Sequence, residues 1–325
     1  MRLPRRRLIQ LAAGAAALPA LARIAKAQTY PNRPVRIIVG YSAGGVSDIL
    51  ARLIGQRLSE RLGQPFIIEN RPGAGSNIGT EVVVRAPADG YTLLLVGVAN
   101  AINVTLYNNL NFNFIRDIAP VAIIERAPLV MEINPSVPVN TVAEFIAYAK
   151  VNPGRINMAS AGTGGATHVA GELFKMMAGV NLVHVPYHGS SPALSDLLAG
   201  QVHVMFDNMA SSIALIRAGR LRPLAVTTPA RSETLPDVPS ISEFVPGYAA
   251  SGWNGIAAPK NCPAEIVAAL NTEVNAALAD PKIKAKLADL GGTTLPASSV
   301  EFGKFIAEDT EKWAKVVTFA GIKPD

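Results

Sequence analysis

The sequence predicts an α/β fold of two lobes, each a mainly parallel sheet flanked by helices. Three observations carry the prediction. Apolar strand-like runs alternate with helical runs in two separate series. Glycine-rich turns join strands to the helices that follow them, and the last sixty or so residues are mostly helical. A chain of 325 residues is long enough for two such units after removal of a leader.

The first 27 residues read as that leader. Arg2, Arg5, Arg6 and Arg7 precede an apolar run over 8–21, and Ala25-Lys26-Ala27 fits a small-x-small cleavage site. The order Arg5-Arg6-Arg7-Leu8-Ile9 also resembles a twin-arginine signal. The run is short for a membrane span, and no Cys follows the cleavage site to carry a lipid. An exported, periplasmic protein is therefore expected. The formal charge of +6 belongs to this leader, which holds six basic side chains and no acidic one. The remaining chain is balanced, so nucleic acid or an anionic membrane is not an expected partner. Cys262 is the single cysteine, which excludes an intrachain disulfide.

The first series starts with a buried strand at 35–39 (V-R-I-I-V). A helix over 47–62 follows, with Ile49, Leu50, Leu53, Ile54 and Leu58 on its apolar face. A second strand spans 66–69, and the turn 70–79 enters a helix running to about Arg85. Pro87-Ala88-Asp89-Gly90 turns the chain into a third strand at 92–96. Two apolar runs, 121–124 and 129–133, are separated by Glu125-Arg126-Ala127-Pro128.

The second series places helices at 142–150, 169–177, 192–198 and 211–217, and strands at 155–159, 182–185, 202–206 and 222–227. Residues 229–247 read as a long surface loop. After a strand at 253–257, helices are expected over 263–278, 281–290 and 300–319. Short breaks at 126–129 and 250–253 mark where the chain passes between lobes. Lobe 1 is thus 28–127 plus 252–325, and lobe 2 is 128–251. Paired crossings of this kind can form a hinge.

Two turns carry the chemistry. In each, a strand runs through glycines into a helix, aiming free amides and the positive helix end at one point. One is Gly40-Tyr41-Ser42-Ala43-Gly44-Gly45-Val46-Ser47-Asp48, where Gly44 and Gly45 allow close backbone approach. Its Ser47 and Asp48 can cap the helix or hold the loop. The other is Ser160-Ala161-Gly162-Thr163-Gly164-Gly165-Ala166-Thr167-His168, whose hydroxyls and His168 imidazole can donate to an oxygen anion. Both lie at the carboxyl ends of strands, where open α/β sheets bind ligands. Asp207 ends a strand at the same sheet edge.

Competing chemistries fit less well. Gly40-Tyr41-Ser42-Ala43-Gly44 matches the G-x-S-x-G nucleophile elbow, but too few residues precede it to build the sheet that a hydrolase needs. No glycine turn fits a dinucleotide fingerprint in register, and no phosphate-loop motif occurs. His184 and His188 are four apart with Pro186 between them and no acidic third ligand nearby, so no metal site is expected.

These residues sit within a longer set of matches. Pro34-Val35-Arg36-Ile37-Ile38-Val39, Gly44-Gly45 with Asp48, and Asn70-Arg71-Pro72-Gly73-Ala74-Gly75 come first. Asp89-Gly90-Tyr91-Thr92-Leu93-Leu94 and Val185-Pro186-Tyr187 with Gly189 and Pro192 follow. The 219–227 segment (G-R-L-R-P-L-A-V-T) and Leu235-Pro236-Asp237-Val238-Pro239 complete the series. In this order, over essentially the whole chain after the leader, they resemble the periplasmic substrate-binding proteins of tripartite tricarboxylate transporters, the Bug family.

The resemblance implies a Venus-flytrap, type II-like periplasmic binding protein, with no catalytic residue, cofactor or metal. It implies capture of a small organic carboxylate, a di- or tricarboxylate or related acid, and delivery to a membrane transporter by a monomeric receptor. The ligand carboxylate would be held by the turn at Tyr41, Ser42, Ala43, Gly44 and Gly45 with Asp48, and by Asn77 of the third turn. The second lobe would contribute Ser160, Ala161, Gly162, Thr163, Gly164, Thr167 and His168, together with Tyr187 and Asp207 as cleft residues. Tyr41, Ser76 and Gly165 depart from the family's usual residues, so the ligand's identity is not carried over. The alternatives are a periplasmic serine hydrolase using Ser42 and a ligand-sensing receptor for a signalling kinase.

Overall fold

The computed structural model describes residues 30–324; the export signal expected over the first 27 lies outside them. The first half begins with β1 (Val35–Val39), α1 (Val46–Leu62), β2 (Phe66–Asn70), α2 (Asn77–Val84) and β3 (Thr92–Gly97). Helix α1 ends at Gly63, whose left-handed φ of 69° and N–H to the Ser59 carbonyl stop it cleanly. Directly after β3 comes α3 (Val98–Leu106), then the short α4 (Phe114–Asp117) and β4 (Ile118–Ile133). The second half holds α5 (Val142–Val151), β5 (Asn157–Ser160), α6 (Ala166–Ala178), β6 (Val183–Pro186), α7 (Ser190–Leu198), β7 (Val204–Asn208), α8 (Met209–Arg217) and β8 (Arg222–Val226). The chain returns through β9 (Ser251–Pro259) and closes with α9 (Ala264–Ala279), α10 (Pro281–Asp289), β10 (Thr293–Thr294) and α11 (Ser299–Ala320).

The strands run in the order β2-β1-β3-β9-β4-β7-β5-β6, with β8 and β10 also on β4. Each wing is parallel: β1 pairs with β2 and β3, and β5 pairs with β6 and β7. The spine between them is antiparallel, built from β4 and β9. In both wings the first strand lies between the next two, so the sheet changes direction at β1 and at β5. Those are topological switch points, and the crevice for a ligand lies beyond their carboxyl ends.

The two apolar runs expected at 121–124 and 129–133 are one sixteen-residue strand, β4. Its prolines do not break it. Pro120 sits where the β4–β9 register shifts, a position that tolerates a missing donor. Pro128 pairs with Ser251 at the end of the β9 ladder, and from Leu129 onward the strand pairs with β7 instead. Helix α3 is a second departure. It follows β3 with no intervening loop, and the Gly97 amide, donating to Asn100 Oδ1 at 2.9 Å, marks its start.

Three apolar cores support this frame. One lies in the first half (Ile37, Leu50, Leu93, Leu278) and one in the second (Val130, Leu197, Met205). The third runs through both halves, from Leu94 and Val96 to Met131, Phe206 and Trp313. Helix α11, begun by a Ser298–Glu301 capping box, packs on α3, β4 and α6 and so touches both halves. Asp309 on α11 accepts from both Trp253 Nε1 and Trp313 Nε1 at 2.8 Å, fixing Trp253 on β9. Among the described residues no helix is long and apolar enough to cross a membrane.

Candidate functional site: a cleft ringed by helix N-termini

A cleft of about 350 Å³ opens between the two wings. Its walls contain the starts of four helices: Val46 and Ser47 of α1, Val98 and Ala99 of α3, Ala166 of α6, and Met209 to Ser211 of α8. Their N-caps are Gly45, Gly97, Gly165 and Asn208, and none of these caps its helix with a side chain. Elsewhere the same chain caps with care. Asn113, Thr141, Asp280 and Ser298 hold the first turns of α4, α5, α10 and α11. Helices α2, α7 and α9 also start without a side-chain cap, so the signal is convergence and not the missing cap alone. Orphan amides and positive dipole ends from both halves meet in one cavity. Among the described residues no Lys, Arg or His lines it.

The turn after β1 forms one rim. Tyr41 lines the cleft, and Ser42, Ala43, Gly44 and Gly45 are exposed beside it. Asp48 stands behind the turn, buried. It accepts from the Gly44 amide at 2.9 Å, Arg52 Nε at 2.9 Å and Asn70 Nδ2 at 3.0 Å. The Arg52 hydrogen bond, reinforced by Gly44 and Asn70, holds its carboxyl down at about 2 although burial pushes the other way. Asp48 therefore positions the turn and does not reach the cleft. Ser47 does not cap α1; its hydroxyl donates to Asn254 Oδ1 at 3.4 Å across the cleft wall. Asn77 is buried at the start of α2, where its Oδ1 accepts from Asn103 Nδ2 at 3.0 Å, away from the cleft lining.

The turn after β5 forms the facing rim through Gly165 and Ala166. Much of the rest is engaged internally. The Ala161 amide donates to Thr167 Oγ1 at 2.9 Å, and the Gly162 amide to Ser160 Oγ at 3.3 Å. The Gly164 amide donates to His168 Nδ1 at 3.0 Å, which places the imidazole proton on Nε2, 3.5 Å from Glu172 Oε1. Burial pushes the Glu172 carboxyl up, but the hydrogen bonds from His168 and Lys175 outweigh it and hold it below its ordinary value. His168 also stacks on His184 with ring centroids 3.5 Å apart, and His184 Nε2 lies 2.7 Å from Ser160 Oγ. His168, expected to donate to a ligand, has both its ring nitrogens facing the protein.

Ala161, Gly162, Thr163 and Tyr187 line a separate pocket of about 310 Å³ with Pro186, His188 and Gly189. The Tyr187 hydroxyl donates to Asp196 Oδ2 at 2.7 Å. Asp207, expected at the cleft, is fully buried. Its carboxylate accepts from Ser190 Oγ at 2.5 Å and Ser212 Oγ at 3.1 Å, and burial raises its pKa. The alternation of a strand turns Asp207 inward, while the next residues, Asn208 and Met209, face the cleft. Ser42 makes no hydrogen bond to an imidazole among the described residues. His168 and His184 are engaged in the other half, so no hydrolase pair is assembled.

Several cleft residues carry no motif. Glu125, Trp253, Asn254 and Gly97 come from the spine strands and the β3–α3 junction. Only the glycine directly after an apolar strand, with Asn100 three residues later, signals one of them in sequence.

Comparison with known proteins agrees with this architecture. The family model described as "Tripartite tricarboxylate transporter family receptor" matches residues 50–322. The protein BugT of Bordetella pertussis (strain Tohama I) is 36% identical over 300 residues, covering 91% of this chain and 92% of its own. Among solved structures, R. palustris Rpa4515 with adipate superposes with a TM-score of 0.78 at 39% identity, covering 91% of this chain and 100% of that one. MatC (Rpa3494) from Rhodopseudomonas palustris with bound malate does so with a TM-score of 0.74 at 31% identity, covering 89% and 100%. These neighbours are two-lobed periplasmic binding proteins, and this chain shares their α/β fold over about nine-tenths of its length. The two-lobed α/β frame, a cleft that gathers helix ends and matches over most of the chain's length agree: the chain belongs to the tripartite tricarboxylate transporter family receptors.

Proposed function

We propose that this protein is a periplasmic receptor that captures a small organic carboxylate between its lobes and delivers it to a membrane transporter of the tripartite tricarboxylate type. The observation that carries the reading is the convergence of four helix N-termini without side-chain caps on one cleft with no cationic side chain in its wall. Each helix end favours an anion by about 0.3–1 kcal/mol, more where partly buried, so four ends select negative charge without a salt bridge. Adipate and malate in the neighbouring structures support a di- or tricarboxylate or related acid as the ligand. The leader pattern supports export, and the family's description supports the transporter partner.

In this reading lobe 1 is 28–127 plus 252–325 and lobe 2 is 128–251. The hinge is the point where β4 leaves β9 for β7, beside the return crossing at Ala250 and Ser251. The ligand bridges the Tyr41–Gly45 turn and the Gly165–Ala166 turn, while Asp48 and His168 hold those turns in shape. Closure needs differential binding: moving from 1:99 to 99:1 closed takes about 5.5 kcal/mol in favour of the closed form.

The test is thermal unfolding and calorimetry against adipate, malate, citrate and an amine of similar size. An acid at a hundredfold excess over its Kd stabilises by about 2.7 kcal/mol, a shift of several degrees. Binding persists in high salt with modest weakening, because no side-chain ion pair is screened. Stabilisation by the amine alone, or by none of the panel, overturns the reading.

A further inference from the structure

Among the described residues Glu125 is the one carboxyl in the cleft wall. It lies on β4 directly opposite Asn254 of β9, and its side chain is 1% exposed. Oε1 accepts from Asn254 Nδ2 at 3.1 Å; Oε2 is buried with no partner among the described residues. Oε2 presses on Gly292 so closely that a Cβ there would overlap it. Asn254 is itself oriented by Ser47 of α1, so a chain of uncharged groups runs from that helix start to the carboxyl.

Among the described residues no charged side chain balances it. Helix α1 presents Ser47, β9 presents Asn254 and Trp253, and the β3–α3 junction presents Gly97 and Val98. Gly291 and Gly292 precede β10, whose Thr294 pairs opposite Glu125, and α8 contributes Ala210 and Ser211. Arg126, next in the strand, turns to the other face and stacks over Phe305 at 5.2 Å. What can favour an ionised Glu125 is therefore the set of helix ends around the cleft, and a bound anion occupies those same ends.

We propose that Glu125 couples ligand capture to uptake of a proton: a carboxylate entering the cleft drives this carboxyl neutral, and the receptor binds acids more tightly as pH falls. The inference rests on the carboxylate reading above and adds a residue and a sign to it. Geometry supplies the argument, because two carboxylates sharing one cavity without a counter-ion cannot both stay ionised. The intrinsic position of the group agrees: burial pushes it up to about 7, against the pull of the Asn254 hydrogen bond.

Calorimetry of the mature wild-type protein with adipate at pH 6.5, 7.5 and 8.5, in two buffers of different ionisation enthalpy, reads the coupling. The carboxyls of adipate stay ionised across this range. Kd rises by up to about tenfold per pH unit above neutrality, with close to one proton taken up per ligand at the alkaline end. Glu125→Gln binds with a Kd that is flat in pH. Infrared difference spectroscopy of the wild type shows a protonated carboxyl growing on ligand addition, a readout that does not depend on the variant folding. Binding with a flat wild-type profile, or a slope retained in Glu125→Gln, overturns the proton coupling and leaves the receptor reading standing. Failure of adipate, malate and citrate to bind at pH 6.5 overturns both.

Discussion

The turns after β1 and β5 share one backbone and differ in what stands behind it. Offset by 120 positions, Gly44 and Gly164 both take left-handed φ, 84° and 72°. Gly45 and Gly165 cap their helices at φ −78°, ψ 169° and φ −76°, ψ 168°. In each, the glycine amide donates to a side chain four residues on, Asp48 in one and His168 in the other. One turn further, the partner is Arg52 in the first and Glu172 in the second, so the charges are mirrored. The first turn is exposed and braced by a fixed anion; the second is half-buried and braced by a neutral imidazole in a stack. One backbone solution thus serves both rims of a cleft, while the supporting chemistry is free to vary.

The largest effect on affinity comes from giving these turns the caps they lack. Gly45 and Gly165 have extended φ and room for a Cβ, whose nearest neighbour would be 3.7 and 3.4 Å away respectively. Gly45→Asp and Gly165→Asp place a carboxylate on the amides that the ligand is proposed to use. Each variant should be more stable by about 0.5–1 kcal/mol and bind its acid at least tenfold more weakly. Gly45→Asp should lose more, because Ala161, Gly162 and Gly164 of the second turn already spend their amides internally. Denaturation and calorimetry on the pair check this; stability and affinity moving together would show that the turns are structural only.

Much of this arrangement was legible from residue order. The wings, their parallel strands and the two glycine turns follow from strand–turn–helix alternation, and the site follows from where such turns lie on a sheet. What stayed hidden is tertiary. Periodicity cannot show that Asp207 turns inward onto Ser190 and Ser212, or that His168 is stacked on His184. Nor does it reveal that the apolar runs around Pro128 are one strand, since a proline is tolerated there only because the partner strand changes. Glu125 looked like part of a polar break, and only the β4–β9 register brings it to the cleft opposite Asn254.

The second effect falls on stability and separates the two braces by pH. Removing Asp48 leaves the Gly44 amide, Asn70 Nδ2 and the Arg52 guanidinium without their charged acceptor, and removing His168 leaves the Gly164 amide bare beside His184. Asp48→Ala should cost about 1.5–3 kcal/mol and His168→Ala about 1–2 kcal/mol. The Asp48 contribution carries a definite pH signature. Its folded pKa, about 2, lies below the unfolded carboxyl's value near 4. The stabilisation is therefore present above about pH 4 and is lost as pH falls toward 2. Wild type and Asp48→Asn should converge in urea midpoint across that window. A gap that stays constant would mean that the charge plays no part in bracing the first turn.

The smallest effect isolates the arginine behind that brace. Arg52 is about half exposed, 54% by side chain, while Asp48 is 3%, so their ion pair faces water on one side. Solvent screening limits such a pair to about 0–1 kcal/mol. The Gly44 amide and Asn70 would still hold Asp48 in Arg52→Ala, because neither bond depends on the guanidinium. Arg52→Ala should therefore lose at most about 1 kcal/mol and keep its affinity for the acid within a factor of two or three. A larger fall in affinity with stability intact would place Arg52 in contact with the ligand, and would end the account of a cleft that binds anions by helix ends alone.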